Sequence, residues 1–302
     1  MDYDEAIGVF YAARPPDTPV PEAVSGAGPA RRLRDAVEPL AMHPVWSRLV
    51  NERLAGLGLD FLTGYVAGRG GPLGDAAPAA VSAAFAWFDP PLVESLWTAA
   101  RSQAALPDVL RVRTEAIAES LGGVLGNEDG VDEAATALRD AVAGASGVGR
   151  PLFSALRAQP WPEAPAARLQ RACDLVREHR SDSHIAAAIA AGRGAVEMSI
   201  LTELWLGMPL GSYTATRGFS EPVMAATVNR LHEEGLLVRD RLSGQGRSLR
   251  AEIERRTDAM EEEIVQALVG HLGELLERLD RWSAACIEAG CFPPDPLKRA
   301  AG

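Results

Sequence analysis

Apolar residues recur at three- and four-residue spacing along most of this chain, and the pattern is clearest toward the C-terminus. Val196, Ile200, Leu201 and Leu204 fall on one face of a helix that Gly207 and Pro209 bring to an end. Arg217-Gly218-Phe219-Ser220 reads as a turn with Ser220 as N-cap, and Glu221-Pro222 opens a second helix where a proline forfeits no hydrogen bond. That helix, Pro222 to Glu234, is expected to bury Val223, Ala226, Thr227 and Leu231 before Gly235 caps it. Leu236-Leu237-Val238 then reads as a short strand and Leu242 to Arg247 as a turn. Ser248 to Ala285 reads as one long amphipathic helix. Its stripe of Ile253, Met260, Ile264, Leu268, Leu272, Leu275, Leu276 and Leu279 runs past what one small lobe can cover, so part of it must face another lobe or a second chain. A homodimer through this terminal helix is one way to cover it.

Elsewhere Val and Ile runs are too sparse for a sheet, and Ala, Leu, Arg and Glu dominate, so the expected class is all-α with short or absent strands. Pro15, Pro16, Pro19, Pro21, Gly26 and Gly28 mark residues 1–28 as an extended arm, within which Asp4 to Ala13 can form a short docking helix carrying Phe10 and Tyr11. A second break at Gly144 to Gly149 and Pro160 to Pro165 divides a lobe at 29–149 from one at 150–302. The first lobe reads as a faded copy of the second. Gly58 to Gly74 overlays Gly194 to Gly211 with one gap, and both end in Gly-x-Pro-Leu-Gly. A short helix follows in each (Pro78 to Phe88, Ser220 to Glu234), then a long charged one (Pro107 to Leu125, Gly246 to Trp282). Such a duplication places a cleft between the lobes, a common place for a ligand pocket.

The order helix, turn, helix, strand, turn, long helix, together with Leu242-Ser-Gly-Gln-Gly-Arg247, resembles the MarR-type winged-helix regulators. Three further phrases are similar to the SalK-like helix-turn-helix family of actinobacteria: Arg150-Pro-Leu-Phe153 with Pro160-Trp-Pro162, Arg177-Glu-His-Arg-Ser-Asp-Ser-His184, and Arg217-Gly-Phe219. The likeness runs from about Arg31 onward. It implies a winged-helix fold with a recognition helix at Pro222 to Glu234, and the repeat within the chain extends this to two winged-helix-like lobes, a degenerate internal duplication.

Charge argues against a conventional DNA contact, because phosphate neutralisation supplies most of such affinity. The chain carries a formal charge of −11. From Ser220 to Val238 its only cation is Arg230, set against Glu221, Glu233 and Glu234. The wing shrinks to Arg239-Asp240-Arg241. If nucleic acid is bound, Arg217, Arg230, Arg239 and Arg241 are the candidates. Arg247, Arg250, Arg255 and Arg256 read instead as a solvated face paired with Glu252, Glu254 and Glu261 to Glu263. A hydrophobic content of 47% indicates a globular chain, no apolar run reaches the length of a membrane span, and no secretory leader is visible, so a cytoplasmic protein with no membrane partner is expected. Cys173, Cys286 and Cys291 are odd in number and lack zinc-type spacing. The aromatic set Phe61, Tyr65, Phe85, Trp87, Phe88 and Trp97 reads as core.

The densest set of titratable groups is Arg177 to His184, placed between an amphipathic helix and the apolar Ile185 to Ala191. In one reading Ser181 or Asp182 caps the next helix and the arginines bridge the lobes. In a second, the set lines an inter-lobe pocket with Arg69, Arg150 and Arg157. Arg177 and Arg180 then add guanidinium forks for a carboxylate or phosphate, and His179 or His184 acts as acid or base beside Asp182. In a third, His179, Asp182 and His184 hold a metal, although the spacing lacks the i, i+4 histidine pair of a helical zinc site. No serine elbow, P-loop or dinucleotide fingerprint accompanies the cluster, so no cofactor is expected and no reaction type is readable. The functional expectation is a small-molecule-binding protein on a repurposed winged-helix scaffold, or an enzyme of specialised metabolism using that cleft. The rival is a MarR-like transcriptional regulator.

Overall fold

A computed structural model describes residues 1–11, 28–126 and 129–301. The first part of the chain forms α1 (Tyr3–Phe10), α2 (Pro29–Ala41), α3 (His43–Trp46), α4 (Arg48–Ala55), α5 (Phe61–Gly70), α6 (Pro78–Phe85), α7 (Pro90–Gln103), α8 (Leu106–Leu125) and α9 (Val131–Ala143). Next come α10 (Pro151–Arg157), α11 (Pro165–Ala190), α12 (Ala195–Trp205) and α13 (Glu221–Glu233), then β1 (Leu237–Val238) and β2 (Arg241–Leu242). The chain continues through α14 (Gly244–Met260), α15 (Glu262–Ala267), α16 (Leu272–Glu288) and α17 (Pro296–Ala301). The expected all-α class holds. Proline in the first turn starts α2, α6, α7, α8, α10, α11 and α13, where its missing N–H leaves no bond unmade.

The spine is α11, 26 residues long and buried on nearly every side until its last turn. It packs against α2, α8, α9, α10 and α14. The main core combines Leu33, Val37 and Leu40 of α2 with Ile117 and Leu121 of α8, Leu138 of α9, Leu169 and Val176 of α11, and Leu276 and Leu279 of α16. A second core under the helix-turn-helix joins Ile200 and Leu201 to Leu231, Leu237, Leu242 and Ile253. Tyr65, Phe85, Phe88 and Trp97 form a third cluster, and the Trp97 indole donates to the Ala76 carbonyl at 3.1 Å. The arm's first helix docks as expected. Ala6 packs with Trp46, Phe61 and Phe292, and the Tyr11 ring meets Trp46 at 5.6 Å. Residues 12–27 and the Phe10 side chain lie outside the described residues.

The wing is as short as the sequence implied. β1 and β2 pair antiparallel through Leu237 with Leu242 and Val238 with Arg241, and Arg239 turns the corner at φ 53°. Four local expectations need correction. In α13 only Thr227 and Leu231 are buried, and Val223 is 46% exposed, because the helix rests on α12 and β1 along a single row and leaves its other flank to solvent. Ser220 holds the N-cap position of α13 without a side-chain bond. The long terminal helix breaks at Glu261 and again across Leu268 to His271. These breaks turn its stripe from the helix-turn-helix core onto the main one, so residues of this same chain cover it. Finally, Arg177 to His184 lies inside α11, so neither Ser181 nor Asp182 caps a following helix. No single helix among the described residues is long and apolar enough to cross a membrane.

Candidate functional site: an arginine-lined cleft

One flank of α11 presents Arg177, Arg180, Ser181 and His184 to a cavity of about 180 Å³. Opposite it stand Arg31, Arg34 and Glu38 of α2, Tyr65 and Arg69 of α5, and Arg250 and Glu254 of α14. Met198, Ser199 and Thr202 of α12 and the turn residues Tyr213, Thr216 and Arg217 complete the floor, while Phe292, Pro293, Lys298 and Ala300 close one end. Trp46, Phe61, Trp87 and Phe88 supply apolar wall.

Helical spacing explains how so many charges converge. Arg177, Arg180, Ser181 and His184 are three or four apart, as are Arg31, Arg34 and Glu38, and Arg250 and Glu254, so each set shares a face. Burying them requires partners. The Glu178 carboxylate accepts from Arg69 Nε at 2.7 Å and Nη2 at 2.9 Å, and from Arg177 Nη1 at 2.8 Å. Glu254 accepts from Arg31 at 2.7 Å, Arg180 at 2.9 Å, and Arg250. Burial pushes the Glu254 carboxyl up, but the guanidinium groups of Arg250, Arg31 and Arg180 outweigh it and hold it well below the usual carboxylate range. Burial, reinforced by Arg250, pushes the His184 imidazolium down to about 3, so the ring is neutral at physiological pH. Thr257 Oγ1 donates to the Ile253 carbonyl and must therefore accept from His184 Nδ1 at 3.1 Å, which leaves Nε2 as an acceptor.

The cleft thus gathers Arg69, Arg177, Arg180 and His184 from the sequence-based set and leaves the others elsewhere. His179 meets Glu261 at 2.9 Å and the Phe153 ring edge-on at 4.8 Å. Asp182 accepts from the backbone N–H of Phe153 at 3.1 Å, in the first turn of α10. It neither orients His179 nor joins His184, and no group of three or more metal-ligating side chains occurs among the described residues. Arg150 and Arg157 belong to α10 and the loop before it, and they hold that loop through Ser183, Ser146 and Ala145. Of the nucleic-acid candidates, Arg217 turns inward, its guanidinium 4.5 Å from the Phe88 ring and 4.3 Å from the Tyr213 ring. Arg230 is exposed but leans toward Glu197 at 3.5 Å. Arg239 and Arg241 project from the hairpin into solvent.

Arg31, Arg34, Glu38, Trp46, Lys298 and the inward pair Arg250 and Glu254 were not singled out by sequence. Arg255 and Arg256 do form the solvated pairing with Glu252, but Arg250 is 2% exposed because its helix wraps over α11. The one available signal was the i, i+4 spacing, which buried and exposed pairs share.

Asp182 gives a pH prediction. Burial pushes its carboxyl up to about 7, and Oδ1 has no hydrogen-bond partner among the described residues. The folded protein therefore keeps a proton that the unfolded chain has released above about pH 4. Stability falls as pH rises through that window, by about 1.4 kcal/mol per pH unit until the native group ionises. Asp182→Asn keeps an acceptor for Phe153 and removes the charge, so it should raise the unfolding midpoint more at pH 8 than at pH 5. Equal effects at the two pH values would refute the assignment.

No curated protein and no solved structure matches the chain. Residues 30–293 match a model described as a helix-turn-helix family, which takes in the cleft as well as α12 and α13, and the chain belongs to that family.

Proposed function

We propose that this protein binds a small organic anion with an apolar body in the cleft between α2, α5, α11 and α14. The observation that carries the reading is charge segregation. In a chain of formal charge −11, seven arginines and Lys298 line one cavity against Glu38 and Glu254 alone among the described residues. Guanidinium forks match carboxylate and phosphate geometry, and the aromatic wall suits a ring or hydrocarbon body. His184 offers the ligand a neutral acceptor at Nε2, because burial and Arg250 hold its imidazolium pKa down to about 3. The two-lobe reading, 29–149 beside 150–302, is kept as part of this proposal. It is supported by the matching Gly-x-Pro-Leu-Gly turns, whose final glycines Gly74 and Gly211 both take positive φ, 65° and 83°.

Calorimetric titration with 1-naphthyl phosphate, against 1-naphthol as the uncharged control, tests this reading. Saturable binding of the phosphate at least tenfold tighter than the alcohol is expected. Equal affinity for both, or no binding of either, would end it.

A second reading, DNA binding by α13, is favoured by the solvent-facing flank of that helix and by the exposed Arg239 and Arg241 beside it. Fluorescence anisotropy against the protein's own upstream DNA and a scrambled duplex, over a salt series, addresses it. Sequence-dependent binding with a steep salt slope would establish a regulator, and the cleft would then hold its effector. No binding at low salt would retire the DNA role.

A further inference from the structure

Beyond the cleft, we infer that a groove on a different flank of α11 is a second ligand site, in which Arg171 receives the carboxylate of a small monoanion with an apolar body. The groove, of about 880 Å³, lies between the start of α8, the turn that follows α5 and the Pro160-Trp161-Pro162 loop joining α10 to α11. Arg171 lines it six residues before Arg177, and at 3.6 residues per turn the two side chains leave α11 about 120° apart. The groove and the cleft share no lining residue.

Arg171 is 6% exposed. Among the described residues it makes no ion pair, its Nε–H is buried without an acceptor, and Nη1 reaches the Pro160 carbonyl at 3.4 Å. The nearby carboxylate, Asp174 one turn further along α11, is taken. It accepts from Arg113 Nη2 and from Gln170 Nε2, each at 3.3 Å. Two buried guanidiniums, Arg113 and Arg171, thus stand beside one carboxylate, and a buried charge without a counter-ion is unfavourable. Burial and then Arg113 push the Arg171 pKa down to about 10 against the pull of Asp174, so the group still carries its charge at pH 7.

The rest of the groove narrows the kind of anion that fits. Its other two arginines are neutralised, Arg101 by Asp75 at 2.5 Å and Arg111 by Asp108 and Glu115 at 3.3 and 3.2 Å. The rim residue Glu163 is exposed and forms no ion pair with Arg171. Arg171 is therefore the positive charge left to attract a ligand, and a guanidinium matches a carboxylate in shape as well as charge. Half-buried Pro72, Leu106, Leu110 and Trp161 line the walls beside it, which suits a hydrocarbon body and not a hydrated inorganic ion.

Calorimetric titration of the full chain with octanoate, 1-octanol and acetate tests the site. Octanoate should bind saturably and at least tenfold more tightly than either control, since octanol lacks the charge and acetate lacks the body. Arg171→Met keeps the stem and removes the charge, so it should weaken octanoate at least tenfold. Without ligand it should unfold at a higher urea concentration than wild type, because no unpaired charge is then buried. Ala105→Trp, at an exposed position on the groove wall, fills the groove and leaves Arg171 in place. It should weaken octanoate as strongly, with no gain in stability. Absence of octanoate binding to wild type, equal affinity for octanol, or binding that survives both substitutions would each overturn the site. None of these outcomes bears on 1-naphthyl phosphate, so the cleft stands or falls separately.

Discussion

Replacing Glu178 with alanine should cost about 3–5 kcal/mol of stability, the range for breaking a buried ion pair by removing one partner. Glu178 is 3% exposed and accepts three guanidinium bonds, from Arg69 twice and Arg177 once. Its loss strands Arg69 and leaves Arg177 with Glu38 alone. Burial alone would push the Glu178 carboxyl up, but Arg69 and Arg177 reverse this and lower it. That contribution is therefore fully present above the unfolded-state value and is lost as pH falls through the lower native one. Urea unfolding at pH 7 measures the effect, and a loss under 1 kcal/mol would refute it. Removing both ends, as in Arg69→Leu with Glu178→Leu, should recover much of the loss, since an apolar pair leaves no buried charge unpaired.

The second large effect is expected at Glu203, a residue with no measurable exposure in α12. Its carboxylate accepts from the backbone N–H groups of Gly211, Tyr213 and Thr214 and from the Thr214 hydroxyl. One side chain thus holds three backbone N–H groups of the turn that separates α12 from α13. Glu203→Ala leaves those donors buried and unmade, at about 1–3 kcal/mol each before relaxation, so the turn should open locally even where the rest of the chain stays folded. Amide exchange at Tyr213 and Thr214 should accelerate at least a hundredfold. Unchanged protection would show that the turn is held by its apolar contacts instead. Because Tyr213 and Arg217 also line the cleft, the variant should weaken binding of 1-naphthyl phosphate as well.

Much of this architecture was legible in the residues. Pro222 opened α13 because its missing N–H costs nothing in a first turn, and three residues between Val238 and Leu242 left no room for a projecting wing. The stripe from Ile253 to Leu279 demanded a cover beyond the helix-turn-helix core, and α2 and α8 supply part of it. What failed was direction. Arg250 and Glu254 carry the same i, i+4 signature as the exposed Glu252 and Arg256, and only the wrapping of α14 over α11 decides that one pair is buried. The cluster at Arg177 to His184 was legible as a dense polar stretch, but a continuous helix splays its members. His179 and Asp182 face α10 and Glu261, while Arg180 and His184 face the cleft. Lys298 gave no signal at all, since a single lysine near a chain end resembles any solvated tail.

The pairing of α2 with α16 has a consequence in time. The Ser283 hydroxyl donates to the Ala36 carbonyl across 247 residues of sequence. At about 5–20 residues per second, synthesis of that interval occupies on the order of 10–50 s. Throughout it, Leu33, Val37 and Leu40 have left the ribosome without their final neighbours. The nascent chain therefore keeps the face of α2 that meets α16 uncovered long after α11 has emerged to cover the other, and a holding chaperone has that interval in which to act.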